Sequence, residues 1–297
     1  SSAASDVYKR QMVNNVLPEC QKKAYEDGND NDAGFFSKMT ENYRALIIDK
    51  IKEENLLWIA YTDLTGYPYM IDGDMIVIYD FAAAKQIEAD LNKAGYRVTF
   101  GNVDKDAFRT EIAHMYRNGY KKIRFMDGKM EPFVVEREEL YPYEEFFKDD
   151  YITNPGLQAA MLNYFQEFRK QAPLENRGDI LKRREQIMID MMLNAEYMVP
   201  CVKEETEEEV EISHHFIDIT DRVTEKEEGE HVIAIPVFTD GFEMDKCYEG
   251  HHENMLYKFD ELVSLMDELG ASGIIINCLG ISYCLLYTSP SPRDTER

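Results

Sequence analysis

Apolar positions recur at steps of three and four through Phe35–Lys52, where Met39, Tyr43, Leu46, Ile47 and Ile51 share one face. That spacing predicts an amphipathic helix. Short apolar runs follow at Leu56–Tyr61 (LLWIAY) and Met75–Tyr79 (MIVIY), the second introduced by an Asp-Gly turn at Asp72–Gly73. Both read as buried strands. Helices are expected at Phe81–Lys93 and Asp104–Arg117, closed by Gly95 and Gly119 at C-cap positions, with strands at Arg97–Phe100 and Lys121–Met126. Pro155–Lys170 reads as a helix with Pro near its start, and Asp179 opens another through Leu193. Strands follow at Tyr197–Val202, Phe216–Thr220, Val232–Phe238 and Ile274–Asn277, with a helix at Phe259–Leu269. Asp27–Asp32 reads as a polar loop.

The pattern repeats. A shift of 151 positions carries Phe108 onto Phe259, Ile112 onto Val263, Met115 onto Met266, Gly119 onto Gly270, Ile123 onto Ile274 and Phe125 onto Ile276. Upstream, Ile78-Tyr79-Asp80 matches Phe238-Thr239-Asp240. The expected fold class is therefore α/β of the mixed α+β kind: two tandem related modules, each a mixed sheet flanked by helices. The first module is placed at 12–150, a helical connector at 151–193, and the second module at 194–283.

The two ends break the pattern. SSAASDVYKRQ (Ser1–Gln11) back-translates without mismatch to one arm of a transposase sequencing adapter, and CLLYTSPSPRD (Cys284–Asp294) resembles the other arm. Residues 1–11 and 284–297 are thus expected to be artefact that packs on nothing. Removing their four basic and three acidic residues leaves 29 basic against 54 acidic, a net charge of −25. So acidic a chain opposes binding to nucleic acid, which needs Lys and Arg against phosphates, and to anionic membrane surfaces. No apolar run reaches the roughly 18 residues that cross a bilayer. Four scattered cysteines remain, with no CxxC pair, which fits a reducing cytoplasm.

No phosphate-binding glycine loop, nucleophile elbow, HExxH helix or EF-hand loop occurs, and no cofactor is implied. The pairs His214-His215 and His251-His252 would need Cys201, Cys247 or Asp218 to converge on them to hold a metal, and no metal site is assigned. Asp72, Asp74, Asp80, Asp127 and Asp240 sit at turns and strand ends. Asp80 and Asp240 occupy matching places in the two copies and read as helix caps after strands. Tyr141, Tyr143, Phe146 and Phe147 form an aromatic cluster, which marks a partner surface if it is exposed. Glu204–Glu211 carries six glutamates and reads as a solvated loop joining Tyr197–Val202 to Phe216–Thr220. Glu207, Glu208 and Glu209 are its candidates for binding a cationic peptide.

In the second copy, YMVPCV, HVIAIPVFTD and FDELVSLMDELGASGIIIN resemble the SseB amino-terminal domain, a bacterial family. The resemblance rests on a strand ending Phe238-Thr239-Asp240 and on the strand Gly273–Asn277; Cys278 stands where members often have Pro. The first copy is a more diverged version, with Ile78-Tyr79-Asp80 and Phe125-Met126-Asp127. The resemblance carries no catalytic residues with it. The sequence reading is thus a non-enzymatic, cytoplasmic binding or regulatory protein with a protein partner, of undefined oligomeric state. The alternative is an enzyme with acid–base carboxylates near Asp80 and Asp240.

Overall fold

The structure is a computed structural model, described over residues 9–63, 66–126, 131–148, 151–171, 176–205, 210–223, 231–248 and 252–286. It is a mixed α/β protein with three sheets. The chain divides into two compact units. One comprises Ser1–Tyr116, Tyr120–Phe147 and Lys170–Ala172; the other comprises Arg117–Gly119, Lys148–Arg169 and Pro173–Arg297.

The first unit begins with a helical pair, α1 (Leu17–Glu26) and α2 (Asp30–Lys52). Helix α2 starts five residues before the apolar periodicity does. Asn29 caps it by accepting the Asp32 N–H, and Asp30 and Asp32 sit in the first turn, where carboxylates favour the helix dipole. Next come β1 (Leu57–Thr62), β2 (Met70–Ile71), β3 (Asp74–Ile78), α3 (Phe81–Lys93), β4 (Val98–Val103), α4 (Lys105–Asn118), β5 (Lys122–Met126), β6 (Phe133–Glu136) and the short α5 (Arg137–Leu140). The sheet runs β4-β1-β3-β5-β6, with β2 paired to β3. Only β3 and β5 run parallel; β4, β1 and β6 pair antiparallel with their neighbours. Leu57, Ile59, Val77, Phe125 and Phe133 are fully buried on it. Tyr120, also fully buried, satisfies its hydroxyl by donating to the Pro68 carbonyl at 2.5 Å.

In the second unit the helical pair is α6 (Pro155–Phe168) and α7 (Arg177–Leu193), so the helices read as a connector pack with the second copy. Then follow β7 (Glu196–Glu205), β8 (Val210–His214), β9 (Ile217–Asp218), β10 (Ile233–Val237), α8 (Gly241–Asp245), β11 (Asn254–Lys258), α9 (Phe259–Leu269), β12 (Gly273–Ile276) and β13 (Tyr283–Leu286). One sheet runs β13-β12-β10-β9 and another β11-β7-β8. A bridge between Met198 and Phe238 joins them, giving the order β11-β7-β10-β12-β13. This repeats β4-β1-β3-β5-β6 strand for strand, with the same single parallel pair.

The registers repeat as well. Val77 lies beside Phe125, and Val237 lies beside Ile276. The Lys121 N–H donates to the Gly73 carbonyl at 2.9 Å, and the Ser272 N–H to the Ile233 carbonyl at 2.8 Å. Tyr120 N–H bonds the Met115 carbonyl and Ala271 N–H the Met266 carbonyl, each at 3.0 Å, one residue past a left-handed glycine. Phe108 and Phe259 both stand eleven residues before those glycines, Phe108 as the fourth residue of its helix and Phe259 as the first of its own.

Three differences from the sequence reading have local causes. The strand joined to β7 is Val210–His214, and Phe216–Thr220 supplies only Ile217–Asp218 as strand. Glutamates 204, 205 and 211 therefore belong to the strands themselves; pairing along the hairpin satisfies main-chain groups that a loop would leave to water. The tail is not unpacked over its first residues: Cys284–Leu286 continue β13 against β12, from Ile276↔Tyr283 to Gly273↔Leu286. An apolar run beside an open strand edge finds a row of unpaired main-chain donors and acceptors. At the other end, Lys9–Gln11 are helical, and the Arg10 guanidinium lies 5.0 Å from the Tyr79 ring centre. Among the described residues no helix is long and apolar enough to cross a membrane.

Candidate functional site

The residues behind the family resemblance meet at the carboxyl ends of the parallel pair β10 and β12. Open α/β sheets commonly place their ligands beyond such strand ends. Leaving β10, the Thr239 N–H donates to Asn277 Oδ1 at 3.0 Å. Asn277 Nδ2 donates back to Thr239 Oγ1 at 3.0 Å. Both residues are fully buried, and Asn277 adopts a left-handed φ of 49°, which Asn tolerates better than branched residues do. Asn154 adds a further tie, its Nδ2 donating to the carbonyls of Glu196 and Thr239 at 2.7 Å each.

Asp240 follows Thr239 and caps α8 by accepting the Glu243 N–H at 2.9 Å. The same carboxylate takes Arg117 Nη2 at 2.8 Å and 3.0 Å. Arg117 also reaches Glu243 Oε1 at 3.2 Å, and Lys246 Nζ binds both Glu243 oxygens at 2.8 Å and 2.9 Å. Two cations thus meet two carboxylates. The side chains of Arg117, Asp240 and Glu243 are essentially out of solvent, and the Arg117 guanidinium lies 4.1 Å from the Phe242 ring centre. Burial pushes the Asp240 carboxyl up, against the pull of Arg117. Burial also pulls on Arg117, but Asp240 and Glu243 more than offset it and hold the guanidinium above its ordinary value. Buried charges persist when paired in this way. Both carboxylates are engaged by buried or half-buried cations, and the group acts as a latch.

Asp80 makes the same cap in the first copy, accepting the Ala83 N–H at 2.8 Å, but stands exposed. The two aspartates therefore share a helix-capping role. Asp74 pairs with Arg124 at 2.6 Å. Asp127 lies outside the described residues, as do Glu207, Glu208 and Glu209.

Beside the latch, an open cleft of about 570 Å³ is lined by Tyr151–Asn154, Leu193–Glu196, Lys258 and Asp260. Its lining carries one cation, Lys258, together with the titratable residues Tyr151, Glu196 and Asp260. Of the paired histidines, His215 and His252 both pack against Tyr248, at 5.2 Å and 5.1 Å between ring centres, and His214 lies against Tyr257, while His251 lies outside the described residues. Among the described residues no three His, Cys, Asp or Glu side chains gather to hold a metal.

In the first unit, the segment after α5 carries the aromatic cluster. Tyr143 and Phe146 pack on Tyr116 at 5.4 Å and 6.2 Å, and Tyr141 meets Phe146 at 6.0 Å. Tyr141, Tyr143 and Phe146 are half-buried, whereas Tyr116 beneath them is buried, and burial pushes its hydroxyl up to about 12. The Arg109 guanidinium lies 5.5 Å from the Tyr141 ring centre and 5.1 Å from that of Phe146, with its side chain 47% exposed. Lys52 approaches Tyr141 at 5.3 Å. Sequence reasoning found the aromatics but not Arg109, whose place follows from the turn of α4 and leaves no local signal. Compared with known protein families, characterised proteins and solved structures, the chain finds no significant match in any of the three.

Proposed function

We propose that this chain is a non-enzymatic binding or regulatory protein of the SseB-like type, acting on a protein partner in the cytoplasm. The observation that carries this reading is the half-exposed cluster of Tyr141, Tyr143 and Phe146 crossed by Arg109. Tyr and Arg are the residue types that dominate protein–protein binding energy, because they combine large apolar area with fixed polar geometry. A second support is the fate of the carboxylates: Asp80 and Asp240 are occupied as caps, and Asp240 is sealed beneath Arg117. The SseB-like assignment is supported by the mutual hydrogen bonding of Thr239 and Asn277, the residues that end its two signature strands.

The test is affinity capture from the native host with the wild-type chain and the Arg109→Glu variant as baits. Arg109 is a surface residue, so the variant keeps its core. A protein captured by the wild type and lost with the variant supports the reading. A partner retained by the variant, or no partner at all, contradicts it.

A further inference from the structure

The turn after α8 and the turn after β12 bring two free thiols together. Cys247 Sγ and Cys278 Sγ stand 2.8 Å apart, although 31 residues separate them in the chain. A disulfide has a sulfur–sulfur length of about 2.05 Å, so bonding needs an approach of less than about 1 Å. Each turn is held by its own hydrogen bonds: the Cys247 N–H donates to the Met244 carbonyl at 2.9 Å, and the Gly280 N–H to the Asn277 carbonyl at 2.8 Å. Cys278 also packs beside the buried cluster of Ile219, Val232, Ala234 and Ile275. Both cysteines are only partly buried, which leaves the pair within reach of a small oxidant.

We propose that Cys247 and Cys278 are a reversible modification site, a dithiol that closes to a disulfide on exchange with a small-molecule disulfide of the glutathione type. Cys247, as thiolate, attacks one sulfur of the small disulfide and expels one small thiolate. Cys278 then loses its proton to solvent and attacks the Cys247 sulfur, expelling the second. Two protein thiols and one small disulfide become one protein disulfide and two small thiols. Burial, then the neighbouring Cys247 thiol, pushes Cys278 up to about 12, which disfavours its direct attack on a small disulfide; the 2.8 Å separation favours its attack on the Cys247 sulfur instead. The bond would tie the end of α8, the helix that Asp240 caps and that contains Glu243, to the turn that follows β12 and Asn277.

The experiment treats the purified full chain with oxidised glutathione, alkylates the remaining thiols, and maps the peptides by mass without reduction. A linked Cys247–Cys278 peptide, two hydrogens lighter than the sum of its parts and released by dithiothreitol, is the expected result. Oxidation should also raise the thermal midpoint, and the shift should vanish in both Cys247→Ser and Cys278→Ser. Separate alkylation of the two cysteines after oxidation, or glutathione held on one alone, overturns the proposal. So does an oxidative shift that survives in both variants.

Discussion

Arg117 donates to both oxygens of Asp240, at 2.8 Å and 3.0 Å, with the two side chains 2% and 0% exposed. A buried pair of this kind is costly to break from one side, because the remaining charge has no water to turn to. Replacing Arg117 with Met should cost about 3 kcal/mol, read as a lower denaturant midpoint with an unchanged slope.

The repeat allows a matched comparison. Asp80 and Asp240 make the same cap, but only Asp240 also holds a buried cation. Asp80→Ala should cost about 1 kcal/mol, the usual worth of a cap. Asp240→Ala should cost about three times as much, since it also strands Arg117. Equal losses would show that Arg117 does not depend on Asp240.

A second matched pair is Gly119 and Gly270, with φ of 75° and 66°. A Cβ on Gly270 meets nothing within 4 Å, so Gly270→Ala carries only left-handed strain of about 1 kcal/mol. A Cβ on Gly119 would collide with the Pro155 carbonyl oxygen and stand 2.9 Å from Ala159 Cβ. Gly119→Ala should therefore be the more damaging by at least about 1 kcal/mol in the same unfolding assay.

Glu139 reports on acid stability. Arg44 grips it at 2.6 Å on each oxygen and, as the largest cause, holds its carboxyl below the ordinary value. With a folded value below the unfolded one of about 4.3, its contribution is full above that pH and is lost as pH falls through the folded value. Glu139→Gln should cost about 1 kcal/mol at pH 7, and the gap from wild type should close on acidification below about pH 4. A gap that stays constant with pH would mean the pair does not titrate with folding.

Much of this fold is visible in the residues because burial imposes a period. The runs LLWIAY and MIVIY lie in the sheet as the strands LWIAYT and DMIVI, each displaced by one residue, and the helix at Phe81–Lys93 matches to the residue. The shift of 151 was legible because a glycine that must be left-handed and a buried strand behind it both survive in each copy. Several elements escaped, the ten-residue α1 among them. Strands β6 and β11 are short, and α8 has only five residues, too few to show a period. The latch was half legible: Asp240 stood out as a cap, but its partner lies 123 positions away and depends on the fold. The thiol pair is invisible for the same reason, since Cys247 and Cys278 meet only when both turns are formed.

A crystal structure in which residues 57–136 are superposed on residues 197–286 by their strands tests the duplication directly. Asp80 should fall on Asp240, Gly119 on Gly270 and Phe108 on Phe259, with β3–β5 and β10–β12 as the matching parallel pairs. Phe108 and Phe259 at unrelated places, or an antiparallel β10–β12 pair, would contradict it.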